Sequence, residues 1–397
     1  MNFLNEVSEG IVYVGVNDRK TTLFEKYIPI SNGVSYNSYL FIDTKTCLMD
    51  TVEFDFTREF LTNIKHALAG RELDYLVVHH MEPDHCAAIE EVLLRYPNVT
   101  IVSNQAVFKM LGQFFSFEIK NKLVVKENDI LDLGKHQLKF IMAPFVHWPE
   151  VMFSYELNTK TLFSADAFGS FGALSGNLYY DEVNDPCYLN EARRYYTNIV
   201  GKYGQNVLNV FKKLQNLEIL TICPLHGYLW RKDIPLLLKK YQKWASYEAE
   251  DREVVLIYAS MYGNTEEAAN ILANYLAKQG LKNIKAYDVS LTDKSYLISE
   301  IFRVSHLVFL APTYNNATYP NLNALLTQME NLNVSNKTVA LVENGTWCAC
   351  AGKLISCRLE GLKNMTILPE KVTIKSSLTE KNIEELEALA LAIKNSL

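Results

Sequence analysis

A short stretch between residues 76 and 85 constrains the fold of this chain more than any other. The apolar run at 76–78 stops at four metal-type side chains within six residues, which are His80, Glu82, Asp84 and His85. This arrangement is typical of a buried strand that delivers ligands to the loop at its end. Neighbouring positions in an extended loop point in different directions, so one such segment could serve two metal ions. The alternative is a polar turn, for which Pro-Asp is ordinary chemistry.

Three further segments repeat the pattern of an apolar run that ends at a histidine or an aspartate. They place His147 after residues 140–144, Asp166 after 161–164 and His226 after 218–224. Each of these residues alone is more often structural than a metal ligand. Independent core histidines, however, have no reason to fall at strand exits every time. The sequence therefore predicts that four strand ends converge on one metal centre.

Length and composition favour a globular protein with two domains. The chain has 397 residues, of which 49% are hydrophobic and 21% are charged. The net charge of −6 argues against nucleic acid or an anionic membrane as the main partner. Neither a secretory signal nor a run of ~20 apolar residues is present, so we expect a cytoplasmic location. Seven cysteines without a CxxC pair indicate neither a disulfide framework nor a thiolate metal site.

The sequence pattern changes near residue 250. Before it, short strands alternate with helices, and one long helical stretch is predicted at 190–214. The acidic patch at 249–253 reads as a linker, so we predict domains at residues 1–250 and 251–397. The second domain opens with a strand at 254–259, a polar loop and a helix. Further strands and helices alternate in the pattern of a doubly wound α/β sheet.

The polar loop at 260–265 predicts a phosphate-binding pocket. Its hydroxyl groups, its glycine and the backbone N–H groups of the following helix are suited to an anion. The loop has neither the lysine of a Walker motif nor the G-x-G-x-x-G pattern, so a monophosphate fits better than a triphosphate. A simple helix cap is the alternative.

Two more loops are expected at the same edge of this sheet, because they follow the third and fourth of its parallel strands. Tyr314 or Trp347 in these loops could stack on a planar ring, although packing alone could also explain both aromatics. The predicted cofactor-binding residues of the three loops are Ser260, Met261, Tyr262, Gly263, Asn264, Thr265, Pro312, Thr313, Tyr314, Asn315, Asn316, Asn344, Gly345, Thr346 and Trp347.

With these motifs the whole chain resembles the flavodiiron proteins, also called A-type flavoproteins or rubredoxin:oxygen oxidoreductases. The first 250 residues are similar to the metallo-β-lactamase superfamily and the remainder is similar to flavodoxin. The resemblance implies an αββα sandwich followed by a flavodoxin-like doubly wound parallel sheet. Zinc hydrolases of the superfamily usually carry a histidine at the position of Glu82. Mixed imidazole and carboxylate ligation without thiolate suits iron instead.

The resemblance also implies the role of each ligand. One iron would be held by His80, Glu82 and His147, and the other by Asp84, His85 and His226, with Asp166 as the bridge. Three carboxylates and a bridging hydroxide would leave two ferrous ions neutral, which a buried pocket tolerates. Members of the family differ in whether the histidine at position 85 binds iron. Many have a histidine where this chain has Glu25, and Trp148 and Tyr196 match aromatic positions that line the family's pocket.

The function implied by the resemblance is reduction of dioxygen to water, of nitric oxide to nitrous oxide, or of both. Dioxygen needs four electrons, two from the irons and two from FMN, whereas coupling of two nitric oxide molecules needs two. The implied partners are an external donor, rubredoxin or a flavin reductase, and a second subunit in a head-to-tail homodimer or a dimer of such dimers.

Two other functions remain open. A zinc metallohydrolase with an attached flavodoxin-like domain is disfavoured by Glu82. A non-enzymatic electron carrier or gas sensor is disfavoured because all seven ligand positions carry competent side chains.

Overall fold

The computed structural model describes residues 4–397, which divide into two compact units between Gln242 and Lys243. The domain boundary at 250/251 stays a prediction. Among the described residues, none of the helices combines the length and the apolar character needed to cross a membrane.

The first unit is built on two β-sheets. Its strands are β1 (Glu6–Ser8), β2 (Ile11–Tyr13), β3 (Val16–Asp18), β4 (Leu23–Phe24), β5 (Ile28–Pro29), β6 (Val34–Tyr36), β7 (Tyr39–Ile42), β8 (Thr46–Met49), β9 (Tyr75–Val77), β10 (Thr100–Ser103), β11 (Lys122–Val124), β12 (Ile130–Asp132), β13 (Gln137–Met142), β14 (Met152–Glu156), β15 (Thr161–Phe163) and β16 (Thr221–Cys223). One sheet has the order β1-β2-β7-β8-β9-β10-β11 and the other the order β12-β13-β14-β15-β16. Strands β3 and β6, and β4 and β5, form two-stranded ribbons.

The inner faces of the two sheets share one apolar core. Phe41 and Val77 of the first sheet belong to the same buried cluster as Phe140 and Phe163 of the second. The helices that precede residue 251 are α1 (Thr57–Leu68), α2 (Pro83–Cys86), α3 (Ile89–Arg95), α4 (Gln105–Phe114), α5 (Tyr188–Tyr195), α6 (Gly204–Leu214) and α7 (Ile234–Ala245). This layered arrangement confirms the predicted metallo-β-lactamase-like sandwich.

The position of β9 explains why its exit loop is buried. It pairs in parallel with β8 on one side and β10 on the other, and Leu76 and Val77 are fully buried. A strand flanked on both sides and covered on both faces reads as a continuous apolar run. The residues that follow it therefore emerge inside the protein, where metal ligands can be shielded from water.

The helix predicted at 190–214 is interrupted. Helix α5 ends at Tyr195, a π-helical turn covers Tyr196–Val200, a 3₁₀ turn covers Gly201–Tyr203, and only then does α6 begin. Glycines at 201 and 204 and β-branched residues at 197, 199 and 200 weaken a regular helix here. The apolar periodicity of the segment hides this break.

The second unit is a single parallel sheet with helices. Its strands are β17 (Asp251–Tyr258), β18 (Lys285–Asp288), β19 (Val304–Tyr314), β20 (Ala317–Thr318), β21 (Lys337–Asn344) and β22 (Met365–Ile374). Its further helices are α8 (Asn264–Lys278), α9 (Lys294–Arg303), α10 (Pro320–Asn331), α11 (Ala351–Leu359) and α12 (Glu380–Ser396). The order β18-β17-β19-β21-β22, with β20 as a short antiparallel addition to β19, confirms the predicted flavodoxin-like fold.

Candidate metal centre and flavin cleft

The structure brings all seven predicted ligands of the first unit together at strand exits. They form two groups, and within each group one ligand atom per residue lies within 4.8 Å of the others. The first group is His80, Glu82, His147 and Asp166, and the second is Asp84, His85 and His226. These are the two sets that the family resemblance implies. Their role as ligands stays a prediction.

The loop after β9 serves both groups because its backbone changes conformation at residue 83. Glu82 is extended, with φ −65° and ψ 139°, and Pro83 then begins the single turn of α2. Proline is favoured at the first position of a helix, where its missing N–H is not needed. The extended residue carries its carboxylate to the first group, whereas the helical residues Asp84 and His85 reach the second.

Asp166 lies between the two groups. Its Oδ2 is 3.2 Å from Nε2 of His80 and 3.1 Å from Nε2 of His147. Its Oδ1 is 3.2 Å from Nε2 of His85 and 3.5 Å from Nε2 of His226. The side chain is fully buried. One carboxylate thus faces both groups with a different oxygen, as a bridging ligand must.

Each group also has its own carboxylate. Oε2 of Glu82 is 3.2 Å from Nε2 of His80 and 3.0 Å from Nε2 of His147. Oδ2 of Asp84 is 3.4 Å from Nε2 of His85 and 3.3 Å from Nε2 of His226. The same ring nitrogen of all four histidines therefore points inward, toward oxygen atoms that cannot donate.

These contacts fit metal ions better than hydrogen bonds alone. Both carboxylate oxygens of Asp84 and of Asp166 are buried without a hydrogen bond. Nε2 of His85 lies 3.0 Å from Nε2 of His226, and two imidazole nitrogens at this distance compete for one position. Buried carboxylates are costly unless a cation compensates them. The two groups contain four imidazoles and three carboxylates, and among residues 4–397 neither group contains a cysteine. This donor set suits iron.

The electrostatics of the centre keep the carboxylate of Asp166 ionised. Burial raises the pKa of Asp166, but the facing histidines, led by His85 and His80, lower it well below its ordinary value overall. Burial lowers the pKa of His80, but Asp166, Glu150 and Glu82 together raise it well above its ordinary value. Carboxylates bind metals in the ionised form, so the centre is prepared for cations.

The second unit contains a cleft of about 530 Å³ where β17, β19 and β21 end. Every predicted cofactor-binding residue except Gly263 lines it, and Cys348 and Ser376 line it as well. Gly263 adopts a φ of 92°, which favours glycine, and its N–H donates to Oγ of Ser260 at 3.1 Å. Gly263 therefore determines the conformation of the loop at 260–265 and does not itself line the cleft. Assignment of these residues to a cofactor stays a prediction.

The cleft is polar but uncharged, because no acidic side chain, lysine or arginine is among the described residues that line it. Hydroxyl and amide groups surround the N-terminus of α8, which favours a bound anion. The aromatic rings of Tyr262 and Trp347 are 89% and 91% exposed, so neither is needed for packing. A phosphate held by neutral donors and a planar ring held by aromatic faces fit this cleft.

Each of the two units matches a different known protein family. A family model described as ODP family beta lactamase matches residues 34–227, and one described as flavodoxin matches residues 256–385. A nitric oxide reductase from Moorella thermoacetica is 32% identical over 360 residues, covering 90% of this chain and 90% of the relative.

Solved structures also match almost the whole chain. Rubredoxin:oxygen oxidoreductase from Desulfovibrio gigas has a TM-score of 0.92 at 28% identity, covering 99% of this chain and 98% of that chain. The flavodiiron protein from Giardia intestinalis has a TM-score of 0.91 at 26% identity, with the same coverage of 99% and 98%. The chain belongs to the flavodiiron protein family. Its flavodoxin unit implies FMN, and its structural relatives imply a diiron centre.

In this flavodiiron protein the outer nitrogens of two of the predicted ligand histidines contact buried acceptors. Nδ1 of His80 lies 2.8 Å from Oε1 of Glu150, which also accepts from the N–H of Met81 at 2.9 Å. Nδ1 of His226 donates to the carbonyl oxygen of Ser35 at 2.7 Å. These contacts leave Nε2 of both rings free to bind a metal. Sequence reasoning did not find Glu150, because its contact with His80 spans 70 residues and no spacing pattern marks it.

The neighbouring histidine faces away from the centre. His79 places Nδ1 2.5 Å from Oδ2 of Asp50 and Nε2 2.7 Å from Oγ of Ser154. Its N–H donates to the other oxygen of Asp50 at 2.7 Å. His79 thus anchors the exit of β9 and leaves His80 as the ligand-type residue.

Aromatic rings enclose both sides of the metal centre. Trp148 has its ring 5.2 Å from that of His80, and Phe24 has its ring 5.5 Å from that of His226. Tyr195 lies 5.4 Å from His226, whereas Tyr196, matched from the family, packs 4.6 Å from Tyr241. Sequence reasoning did not single out Phe24 or Tyr195.

Glu25, where many members have a histidine, follows Phe24 in the β4–β5 hairpin, and its carboxyl group contacts Glu82. Burial and this hydrogen bond raise its pKa to about 8.

Proposed function

We propose that this flavodiiron protein reduces dioxygen to water, nitric oxide to nitrous oxide, or both, with electrons that pass through FMN. The observation that carries the proposal is the position of Asp166, whose two oxygens face two separate groups of histidines. The relatives named nitric oxide reductase and rubredoxin:oxygen oxidoreductase support a diatomic gas as the substrate. When bound, two irons would supply open positions and two electrons, and reduced FMN would supply two more.

The residues around the centre suit a small neutral substrate. Phe24, Trp148 and Tyr195 are close to the ligand imidazoles and reduce the access of water. A diatomic gas needs no charged or hydrogen-bonding subsite, and this wall is largely aromatic. Glu150 and the carbonyl group of Ser35 hold two of the imidazoles in one orientation. The chain therefore supplies a rigid, dry frame, and it leaves electron transfer to the cofactors.

Anaerobic stopped-flow mixing tests this proposal. Fully reduced protein, with iron and FMN contents measured beforehand, is mixed with dioxygen or nitric oxide while flavin absorbance is recorded. Oxidation by at least one gas within seconds is expected, and steady-state rates with one reductant give the preference between the two gases. A sample loaded with zinc that hydrolyses esters would support the hydrolase alternative. If neither gas oxidises a sample with full iron and FMN contents, the result would support the electron-carrier or sensor alternative.

We also propose an external donor, rubredoxin or a flavin reductase, and a head-to-tail homodimer or a dimer of such dimers. The name of the Desulfovibrio gigas relative supports a rubredoxin-type donor. In this arrangement the flavin of one subunit would serve the irons of the other. Turnover per chain should therefore fall on dilution, in parallel with dissociation measured by sedimentation. A monomer with full turnover would contradict the dimer proposal.

Removal of the Trp347 ring should weaken FMN binding without affecting stability. The ring is 91% exposed, so Trp347→Ala should change the free energy of unfolding by less than ~0.5 kcal/mol. Loss of one stacking partner, worth ~0.5–1.5 kcal/mol, should weaken FMN binding by about two- to tenfold. Quenching of flavin fluorescence during titration of the FMN-free protein measures the affinity. Leu291→Ala, which removes an 86% exposed side chain outside the cleft, is the control. Equal affinities of both variants would exclude stacking on Trp347.

A further inference from the structure

Two cysteines stand at the flavin cleft without a role in the function proposed above. Cys348 is exposed and lines the cleft, and Cys350 is partly buried and immediately precedes α11. The neighbouring thiol of Cys350 raises the pKa of Cys348, so the two side chains interact. The other exposed cysteine of this unit, Cys357, lies within α11 and does not line the cleft.

The backbone holds this pair against the loops of the cleft. Oγ1 of Thr313, near the end of β19, accepts from the N–H of Cys350 at 2.9 Å and from that of Ala351 at 3.1 Å. Gly345 allows the chain to fold back, because a Cβ there would lie 2.5 Å from the carbonyl oxygen of Cys348. The backbone on both sides of the two cysteines is therefore fixed against the wall of the cleft.

We propose that Cys348 and Cys350 form a dithiol–disulfide couple that exchanges an electron pair with the flavin in the cleft. The proposal rests on FMN binding there, as proposed above. In the oxidising direction, two S–H bonds break, one S–S bond forms, and two electrons and two protons leave the cysteines. Oxidised FMN takes up the same two electrons and two protons and becomes the reduced hydroquinone. The reverse reaction returns the two thiols.

The chain geometry permits this bond. Cα atoms of residues i and i+2 are at most ~7 Å apart, and disulfides span ~4.4–6.8 Å. Because Cys348 is exposed, a small thiol or disulfide can exchange with the pair from solvent. The couple would give each chain a third electron pair, beside those of the irons and the flavin, to reduce the flavin again after turnover.

Counting electrons tests the couple. Full-length protein loaded with iron and FMN is treated with excess hydroxyethyl disulfide, freed of it, and titrated anaerobically with dithionite while flavin absorbance is followed. We expect six electrons per chain, two each for irons, flavin and disulfide. Cys348→Ser and Cys350→Ser should each take four. Cys357→Ser is the matched control, an exposed cysteine on the adjacent helix, and should take six.

Mass spectrometry gives a second readout that does not depend on activity. The tryptic peptide of residues 338–353 contains both cysteines and no others. It should lose two hydrogens and resist alkylation in the oxidised protein, and it should accept two alkyl groups after the titration. Four electrons in a wild-type sample with full iron and FMN would overturn the couple and leave the proposed function intact. A sample that binds no FMN would instead overturn the proposed function, and the couple with it.

Discussion

Asp166→Asn is expected to release both metal ions from the protein. Asp166 faces both predicted ligand groups, with Oδ2 3.1 Å from Nε2 of His147 and Oδ1 3.2 Å from Nε2 of His85. An asparagine keeps the shape but has one oxygen and one NH₂ group, so it can serve only one of the two groups. It also removes a negative charge from both. Bound iron should fall from two to below one per chain, a loss of affinity of about 100-fold or more.

The stability of the metal-free protein should fall as well. Without metal, the facing histidines hold the pKa of Asp166 well below its ordinary value, so the folded protein favours the ionised carboxylate. Metal-free Asp166→Asn should therefore unfold at a lower temperature than metal-free wild type, because it leaves these histidines without their buried partner. Iron is measured by mass spectrometry after gel filtration, and unfolding is followed by circular dichroism. Asp132→Asn, at the exposed end of β12 in the same unit, should retain wild-type iron. Retention of two irons by Asp166→Asn would exclude the bridging role.

The convergence of ligand-type residues could be predicted from the sequence because it depends on a general property of sheets. His80, His147, Asp166 and His226 each follow an apolar run, and parallel strands such as β15 and β16 present their ends at one edge. The assignment of each ligand to one of two groups came from the family resemblance. Spacing alone does not show that Glu82 is extended and that Asp84 begins a helical turn.

The loops of the flavin cleft were predictable for a similar reason. In a doubly wound sheet the loops that follow the parallel strands lie at the carboxyl edge of the sheet. The structure places the three predicted loops around one cleft at this edge. Ser376, after β22, escaped prediction because no motif marks it. Its N–H donates to Oδ1 of Asn344 at 3.0 Å, a contact that only the folded sheet creates. Cys348 was missed because the search for cysteine motifs considered CxxC spacing, and this pair is CxC.

Side chains that support the ligands could not be predicted, since they act across long separations. Glu150 lies 70 residues from His80, and its own loop has no pattern that indicates a partner. The long helical stretch predicted at 190–214 contains π-helical and 3₁₀ turns that could not be predicted, because hydrophobic periodicity continues through them. Tyr195, the last residue of α5 before these turns, packs beside His226.

Glu150→Gln should weaken iron binding at the first group and leave the second unchanged. Oε1 of Glu150 lies 2.8 Å from Nδ1 of His80, so its charge makes that imidazole a stronger metal ligand. Glutamine keeps an acceptor for His80 and for the N–H of Met81 but loses the charge. Substitution of such supporting partners typically reduces metal affinity about 10- to 100-fold. His226 has the carbonyl oxygen of Ser35 as its partner, so the second group is an internal control.

Competition with a coloured iron chelator separates the two sites. Wild type should release its irons over a narrow range of chelator concentration, and Glu150→Gln should release one iron at about 10- to 100-fold less chelator than the other. Glu150 helps to raise the pKa of the buried His80, so the neutral glutamine should also lower the stability of the metal-free protein. Release of both irons at less chelator, rather than of one, would indicate a general packing defect. Wild-type release of both irons would show that His80 does not depend on Glu150 for its ligand strength, and the tautomer would then be fixed by the metal itself.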